Sequence, residues 1–292
     1  MHLNDSRSVD AEAWVAGFLG TVSHTDRLTG GWTSRMTAMF GEDGAAVVLR
    51  VMDREPWRSF GRAMTRRESD VQRLLEDTAV PAPRSIALDD GTHCGSPAHL
   101  MTLLPGAIDP RRFDEGSLAQ LAGLLAAIHD VPPTPTIRAY ESWAWEAKYV
   151  VPPWSTEPRV WEEAFDLLRT PPPAFTPTFL HRDFQLRNVL WIDDRITGVV
   201  DWVETSIGPA WLDVAHCCSH LTMEPGGADA ARAFADRYQA VTGRPAQPYF
   251  DVMDIVAFLP APGRAALVTD VVRLRRLEQH LSTVLGRART GP

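Results

Sequence analysis

The stretch from residue 179 to residue 202 constrains this chain most, because it arranges three oxygen-bearing side chains around a predicted hairpin. Asp183 and Asn188 stand at its start, and two strand-like pieces joined by a short polar turn follow them. Asp201 stands at the end of the second piece. Two strands joined by a tight turn run back alongside each other, so we expect the hairpin to return Asp201 close to Asn188.

Side chains in this order suit phosphoryl transfer, which needs an oriented acceptor hydroxyl and charge neutralisation on the phosphate oxygens. One carboxylate can orient and deprotonate the hydroxyl. An asparagine oxygen and a second carboxylate can hold Mg²⁺, a hard cation that prefers oxygen ligands. The pattern H-R-D-x-x-x-x-N from His181 to Asn188, followed by a strand-terminal aspartate, supplies these groups.

Composition and net charge reduce the number of function classes to which the chain could belong. The 292 residues carry a formal net charge of -8, whereas nucleic-acid binders usually present a basic face. Three cysteines, of which two are adjacent, do not make a disulfide framework and fit a reducing cytoplasm. The polar start of the chain does not read as a signal peptide, and no apolar run approaches the roughly 20 residues that span a bilayer. We therefore expect a cytoplasmic protein that binds neither nucleic acid nor membrane.

Periodicity predicts a mixed first third and a mainly helical remainder. Apolar spacing places a long helix near the end of the chain, from Leu267 to Val284, and Asp114 is a plausible N-cap of an earlier helix. The fold class is therefore α+β. The other predicted elements are helices at 10–19, 66–77 and 160–168, and strands at 45–51, 85–88 and 99–104.

Further motifs resemble the aminoglycoside phosphotransferase family, a branch of the protein-kinase-like fold. Besides the loop and the strand-terminal aspartate, these motifs follow one another in family order over roughly residues 28–220, which makes the resemblance specific where each motif alone is weak. They are the phosphate-covering turn at 28–35, the interlobe connector at 103–106, a helix at 121–129 and the segment 208–215.

The resemblance implies a two-lobed enzyme, with a small N-terminal nucleotide-binding lobe (1–104) built on an antiparallel sheet and a larger helical lobe (105–292) for catalysis and substrate binding. It implies ATP and Mg²⁺ as cofactors, Asp183 as the catalytic carboxylate, and Asn188 and Asp201 as metal ligands. The remaining nucleotide-binding positions would be Gly30, Gly31, Thr33 and Ser34 in the turn, Arg50 with its acidic partner Glu68, and Met101, Thr102 and Leu104 beside adenine.

Two departures from the family pattern stand out. Lys148 is the only lysine, so the phosphate-binding lysine of this fold is absent and Arg50 stands in its place. Arginine is permanently charged and forks onto phosphate or carboxylate, which makes the exchange workable but not equivalent. Arg182 stands where the family often has glycine.

Other interpretations stay open. The missing lysine also fits a non-catalytic nucleotide-binding protein, and a protein kinase would need a longer segment after Asp201. His216 and His220 stand four residues apart, as zinc ligands on a helix can. Asp213 and His181 read as structural supports of the loop, and five aromatic residues between Trp143 and Trp161 read as core packing or as a substrate wall.

The acceptor is predicted to be a small hydroxylated molecule, either an aminoglycoside-like antibiotic or another metabolite, and the protein a monomer or homodimer. A cationic acceptor would need carboxylates. The acidic candidates are Asp109, Asp114, Glu115, Glu141, Glu146, Glu204 and Glu224.

Overall fold

The computed structural model describes residues 5–29 and 33–290. Within them lie eight α-helices, α1 to α8 in order: Asp5–Leu19, Trp57–Leu75, Glu115–His129, Pro158–Leu168, Trp211–Met223, Gly227–Thr242, Pro248–Ala257 and Val271–Thr290. The ten strands, β1 to β10, are Val22–Leu28, Arg35–Gly41, Ala46–Val51, Ser85–Asp89, Ala98–Thr102, Ala107–Ile108, Pro177–Leu180, Val189–Ile192, Arg195–Val199 and Ser206–Pro209. None of the described helices is both long enough and apolar enough to cross a membrane.

The chain divides into two compact units. The first unit comprises Met1–Gly106 together with Thr197–Val203, and the second comprises Ala107–Ile196 together with Glu204–Pro292. Asp201 therefore belongs to the first unit, although it lies far along the chain from the rest of that unit.

An antiparallel sheet of five strands forms the first unit, in the order β1-β2-β3-β5-β4. Its central pair, β3 and β5, reads as apolar runs because both strands are almost fully buried, and Leu49 lies opposite Leu100. Helix α1 packs Val15 and Leu19 against the sheet. The α+β class and the sheet lobe with a helical lobe are confirmed.

Helix α2 begins at Trp57, about two and a half turns before the sequence pattern placed it. Gly61 lies inside the helix and reads as a breaker in the sequence. In the structure a Cβ at Gly61 would stand 2.8 Å from the Cβ of Met52, closer than side-chain atoms approach. The glycine is thus a packing requirement, and the helix continues through it.

Helices dominate the second unit. Helix α5 is buried along nearly its whole length and packs against α6, α7 and α8. Asp114 caps α3 as predicted, with its side chain accepting from the backbone N–H of Ser117. Short strands accompany the helices: β7 pairs with β10, and β6-β8-β9 form a small sheet.

The C-terminal helix begins at Val271, so the prediction that it includes Leu267 was wrong. Asp270 accepts the backbone N–H of Val272 at 2.8 Å and ends the preceding loop. Leu267 lies in that loop and is 61% exposed. Leu267 is spaced from the later leucines as helix residues are, but it does not share a helix face with them.

Candidate active site

Arg50 lies near the end of β3, where it is 4% exposed, and it contacts two acidic residues of the first unit. Its Nε lies 3.5 Å from Oε2 of Glu68 on α2, which confirms the predicted pairing. Its two terminal nitrogens lie 3.0 and 3.1 Å from Oδ1 of Asp201. The forked guanidinium can reach both carboxylates at once, which a single ammonium group cannot do in the same way.

His99, on β5, is a third partner in this cluster and was not singled out from the sequence. Its Nδ1 lies 3.0 Å from Oε2 of Glu68, and both side chains are fully buried. Although burial acts in the opposite direction, Arg50 and then His99 hold the pKa of Glu68 below its usual range. The sequence signal that could have pointed to His99 is a histidine within a strand of apolar residues.

Asp201 follows β9 with a φ of 69°, in the left-handed region that few residues other than glycine adopt. Its side chain remains 38% exposed while Arg50 holds one of its oxygens. Strained backbone of this kind is typical of functional positions, at a cost of about 1–3 kcal/mol. The structure therefore presents this carboxylate as fixed and partly accessible.

The predicted nucleotide contacts are distributed over the start of β2 and the end of β5. Gly30 and Gly31 lie outside the described residues, while Thr33 and Ser34 lead into β2 and Ser34 is buried. Met101 is packed in the core, where its sulfur contacts Gln72 at 3.4 Å. The remaining predicted positions are Thr102 and Leu104.

Backbone hydrogen bonds distinguish the last residues of this segment. The N–H of Thr102 donates to the carbonyl of Arg84, and that of Leu103 donates to Ala46. Both donors are thus committed within the sheet. Leu104 lies just beyond β5, and its backbone takes part in neither of these two hydrogen bonds. It is one of the positions predicted to contact adenine.

Asp183 and Asn188 lie together in the second unit. The side-chain nitrogen of Asn188 lies 2.8 Å from both the carbonyl oxygen and Oδ2 of Asp183. Because the amide nitrogen faces Asp183, the amide oxygen Oδ1 is the atom that Asn188 offers to a cation. Gln185 donates to Oδ1 of Asp183 at 2.6 Å.

The loop that carries Asp183 is fixed from below by Asp213 on α5. Its two carboxylate oxygens each accept a backbone N–H, from His181 and from Arg182, at 2.7 Å. His129 of α3 contacts the same carboxylate at 3.1 Å. The prediction that Asp213 supports the loop is confirmed, and His181 also acts as a brace, since its Nδ1 accepts the N–H of Asp183.

Arg182 adopts a φ of 72°, which accounts for glycine as the frequent family residue at this position. The guanidinium lies 4.0 Å from the ring centre of Trp143 and donates to the carbonyl of Glu141. A cation over an indole face stabilises by about 0.5–2 kcal/mol, which offsets part of the backbone strain. The predicted packing role of Trp143 is thus visible.

His216 also contacts Asp183, and Asp254 in turn contacts His216; the sequence assigned neither contact. His216 on α5 lies 2.9 Å from Oδ1 of Asp183 through Nε2, and 2.9 Å from Oδ1 of Asp254 through Nδ1. Although burial raises the pKa of Asp183, the hydrogen bond and the charge of His216 lower it below its ordinary value. The Asp183 side chain is therefore ionised at neutral pH and 26% exposed.

The phosphotransferase enzyme family model matches residues 24–250. The chain belongs to this family. The match spans the Arg50 cluster, the Asp183 loop and helix α5 with His216, and it ends inside α7, before Asp254. No curated protein matches the chain.

Solved structures of the family share the fold. The aminoglycoside phosphotransferase APH(4)-Ia is similar at a TM-score of 0.69 and 18% identity, with 98% of this chain and 99% of that chain covered. A thermostable mutant of that enzyme, solved with AMP-PNP and hygromycin B, gives 0.66 and 16%, covering 95% and 98%. An aminoglycoside-3'-phosphotransferase of type VIII gives 0.63 and 18%, covering 87% and 100%.

The side chains fit a magnesium ion in donor type. Asn188 offers a neutral amide oxygen and Asp201 a carboxylate, and oxygen donors of both kinds are the ligands that Mg²⁺ prefers. The Asp201 carboxylate already meets the Arg50 cation, so a metal would share its charge with arginine. Ligand chemistry thus agrees with the predicted roles, and the roles themselves remain predictions.

Proposed function

We propose that this chain transfers the γ-phosphate of ATP to a hydroxyl group of a small molecule, with Asp183 as the catalytic carboxylate. The observation that carries the proposal is the fixed, ionised state of Asp183, whose carboxylate meets donors from Gln185, Asn188 and His216 while it stays partly exposed. A carboxylate held in this way can accept the hydrogen of an incoming hydroxyl and aim its oxygen at phosphorus.

Asn188 and Asp201 are the proposed Mg²⁺ ligands, and Arg50 would contact the phosphates of ATP. Magnesium, when bound, supplies charge neutralisation on the phosphate oxygens. Asp183 contributes little basicity, because His216 and its neighbours keep its pKa low. Since the transition state of phosphoryl transfer is loose, orientation of the hydroxyl contributes more than proton abstraction.

The contacts of the seven acidic candidate residues argue against a polycationic acceptor. Six of the seven already have partners: Asp109 accepts the backbone N–H of Arg111, Asp114 caps α3, and Glu115, Glu146, Glu204 and Glu224 pair with Arg237, Arg169, Arg138 and Arg273. Carboxylates that already meet arginine have less charge to offer an ammonium group. We therefore propose a hydroxylated acceptor recognised mainly through other contacts, with aminoglycosides as one arm of the test.

The experiment is an ADP-release assay with Mg-ATP and a panel of hydroxyl acceptors: hygromycin B, streptomycin, a macrolide, homoserine, choline and a hexose. Asp183→Asn serves as the matched control, since it keeps the size and removes the carboxylate. Release above the control with at least one acceptor, together with phosphate on that acceptor by mass spectrometry, supports the proposal. Absence of release with every acceptor and with water, at saturating ATP, contradicts it.

One observation favours a second candidate, a non-catalytic nucleotide-binding protein. Both terminal nitrogens of Arg50 lie against Oδ1 of Asp201, the carboxylate expected to hold magnesium. If this pair persists with nucleotide, calorimetry will show ATP binding that does not depend on Mg²⁺, and the assay above will show no ADP.

A further inference from the structure

A line of three buried or half-buried side chains runs through the second unit behind Asp183. It begins at Asp254 on α7, passes through His216 on α5 and ends at the Asp183 carboxylate, with a distance of 2.9 Å at each contact. His216 is 5% exposed and Asp254 is 2% exposed. The proposed function treats His216 only as one of the donors that keep Asp183 ionised, and it gives Asp254 no part.

The geometry fixes the charge of His216. Both ring nitrogens face carboxylate oxygens. An ionised carboxylate can accept hydrogen bonds but cannot donate them. A neutral imidazole has one N–H and would turn a lone pair towards one of the two oxygens. Both nitrogens therefore carry hydrogen, and in agreement the carboxylates raise the pKa of His216 to about 10, although burial opposes the charge.

The two oxygens of Asp183 are held unequally. Oδ1 accepts from Gln185 at 2.6 Å and from His216 at 2.9 Å, whereas Oδ2 meets Asn188 at 2.8 Å. Each carboxylate oxygen has two lone pairs. Oδ1 is thus filled by donors of this chain, and Oδ2 retains the capacity to accept one more hydrogen.

We propose that His216, held in place by Asp254, is a positioning residue that anchors Oδ1 of Asp183 and so directs Oδ2 towards the acceptor hydroxyl. The inference rests on the proposed function. As the acceptor oxygen bonds to the γ-phosphorus, the bond from phosphorus to the ADP oxygen breaks and its electron pair leaves with ADP. The hydroxyl proton passes to Oδ2, while His216 keeps both of its own.

The competing interpretation of these residues is a transition-metal site. Ligand atoms of Asp183, His216 and His220 lie within 4.8 Å of one another. Both nitrogens of His216 nevertheless face carboxylates and carry hydrogen, so neither offers the lone pair that a metal ion needs. Stoichiometric zinc in the dialysed protein, measured by elemental analysis, would overturn the positioning role.

The test separates the two ends of the histidine. A glutamine amide nitrogen can take the place of Nε2, and an asparagine nitrogen can take that of Nδ1. His216→Gln therefore keeps a donor towards Asp183, while His216→Asn keeps one towards Asp254 only. With Mg-ATP and an acceptor that the wild type phosphorylates, we expect kcat to fall about 100-fold in His216→Asn and less than about tenfold in His216→Gln.

Helix α7 offers a matched control one turn before Asp254. Asp251 is also buried, but it contacts Nε1 of Trp211 at 2.7 Å. We expect Asp254→Asn to lower kcat about tenfold and Asp251→Asn to leave it unchanged, with the KM for ATP within about threefold in all variants. Equal kcat values for His216→Gln and His216→Asn, or equal effects of the two α7 substitutions, would overturn the proposal.

A second readout does not depend on turnover. In ¹⁵N-histidine NMR spectra at pH 8, His216, assigned by its loss in His216→Gln, should show two protonated ring nitrogens in the wild type. A neutral ring there overturns the inference. If the wild type makes no ADP with any acceptor, the proposed function fails; if it turns over and His216→Asn matches it, only the positioning role fails.

Discussion

The carboxylates of Asp201 and Asp183 are held by two different kinds of cation. In the first unit Asp201 meets Arg50, which is charged at every physiological pH and also serves Glu68. In the second unit Asp183 meets His216, which is cationic only because Asp254 and Asp183 raise its pKa. The charge of Arg50 is thus a property of arginine itself, whereas the charge of His216 depends on the carboxylates packed around it.

The largest test removes the Asp183 charge. Asp183→Asn should lower kcat about 10²–10⁴-fold, because an amide in place of the carboxylate no longer orients the acceptor hydroxyl through a charged acceptor oxygen. ATP binding by calorimetry should change little, since the nucleotide contacts are predicted elsewhere. Retained turnover within about threefold of the wild type would break the comparison, because Asp183 would then need no cation.

Removal of the permanent cation tests the first unit. Arg50→Met leaves the fully buried Glu68 without its arginine, and we expect the free energy of unfolding to fall by about 3–5 kcal/mol in urea titrations of the full chain. Arg50→Lys should recover part of this loss, because lysine restores charge without the fork. The double variant Arg50→Met/Glu68→Gln should be more stable than Arg50→Met; if it is not, the pair is not the source of the loss.

The support beneath the Asp183 loop gives a smaller effect. Asp213→Asn turns an amide N–H₂ towards one of the two backbone N–H groups that the carboxylate now accepts. We expect a loss of about 2–3 kcal/mol in the free energy of unfolding, as for charge-assisted hydrogen bonds. Asp229→Asn, on an exposed side chain, is the control and should change stability by less than about 0.5 kcal/mol.

The smallest effect appears as a pH dependence on α7. Burial raises the pKa of Asp251 to about 7, so the folded state binds a proton that the unfolded state releases at about pH 4. The contribution of this carboxyl group to stability should therefore fall as pH rises from about 4 to about 7. Asp251→Asn removes this dependence, and its gain over the wild type should be roughly 2 kcal/mol larger at pH 8 than at pH 5. Parallel stability curves for the two proteins would show that Asp251 ionises freely.

Local sequence pattern predicted much of the fold. The buried strands β3 and β5 were predicted because they are apolar runs. The Asp114 cap was predicted because aspartate directly before a helical repeat is a preferred N-cap residue. The errors fell at helix starts. Helix α2 includes Gly61, where Met52 leaves no room for a Cβ, and α8 begins after Asp270, so that Leu267 lies outside it.

Within the site, the residues recognised were those that lie in fixed order along one segment. Asp183 and Asn188 share a loop, and the pairing of Arg50 with Glu68 was implied by the resemblance to the family. His216 was considered only as a zinc ligand, and Asp254 was not considered at all. They meet across 38 residues of sequence, and nothing in either local pattern points to the other.

The sequence by itself determined the donor types of this protein: a carboxylate, an amide oxygen, a strand-terminal aspartate and an arginine where a lysine is usual. Those are properties of single residues in local order. Only the tertiary structure decided the charge of His216 and which oxygen of Asp183 is filled, because protonation in a buried site depends on which carboxylates packing brings within hydrogen-bond distance.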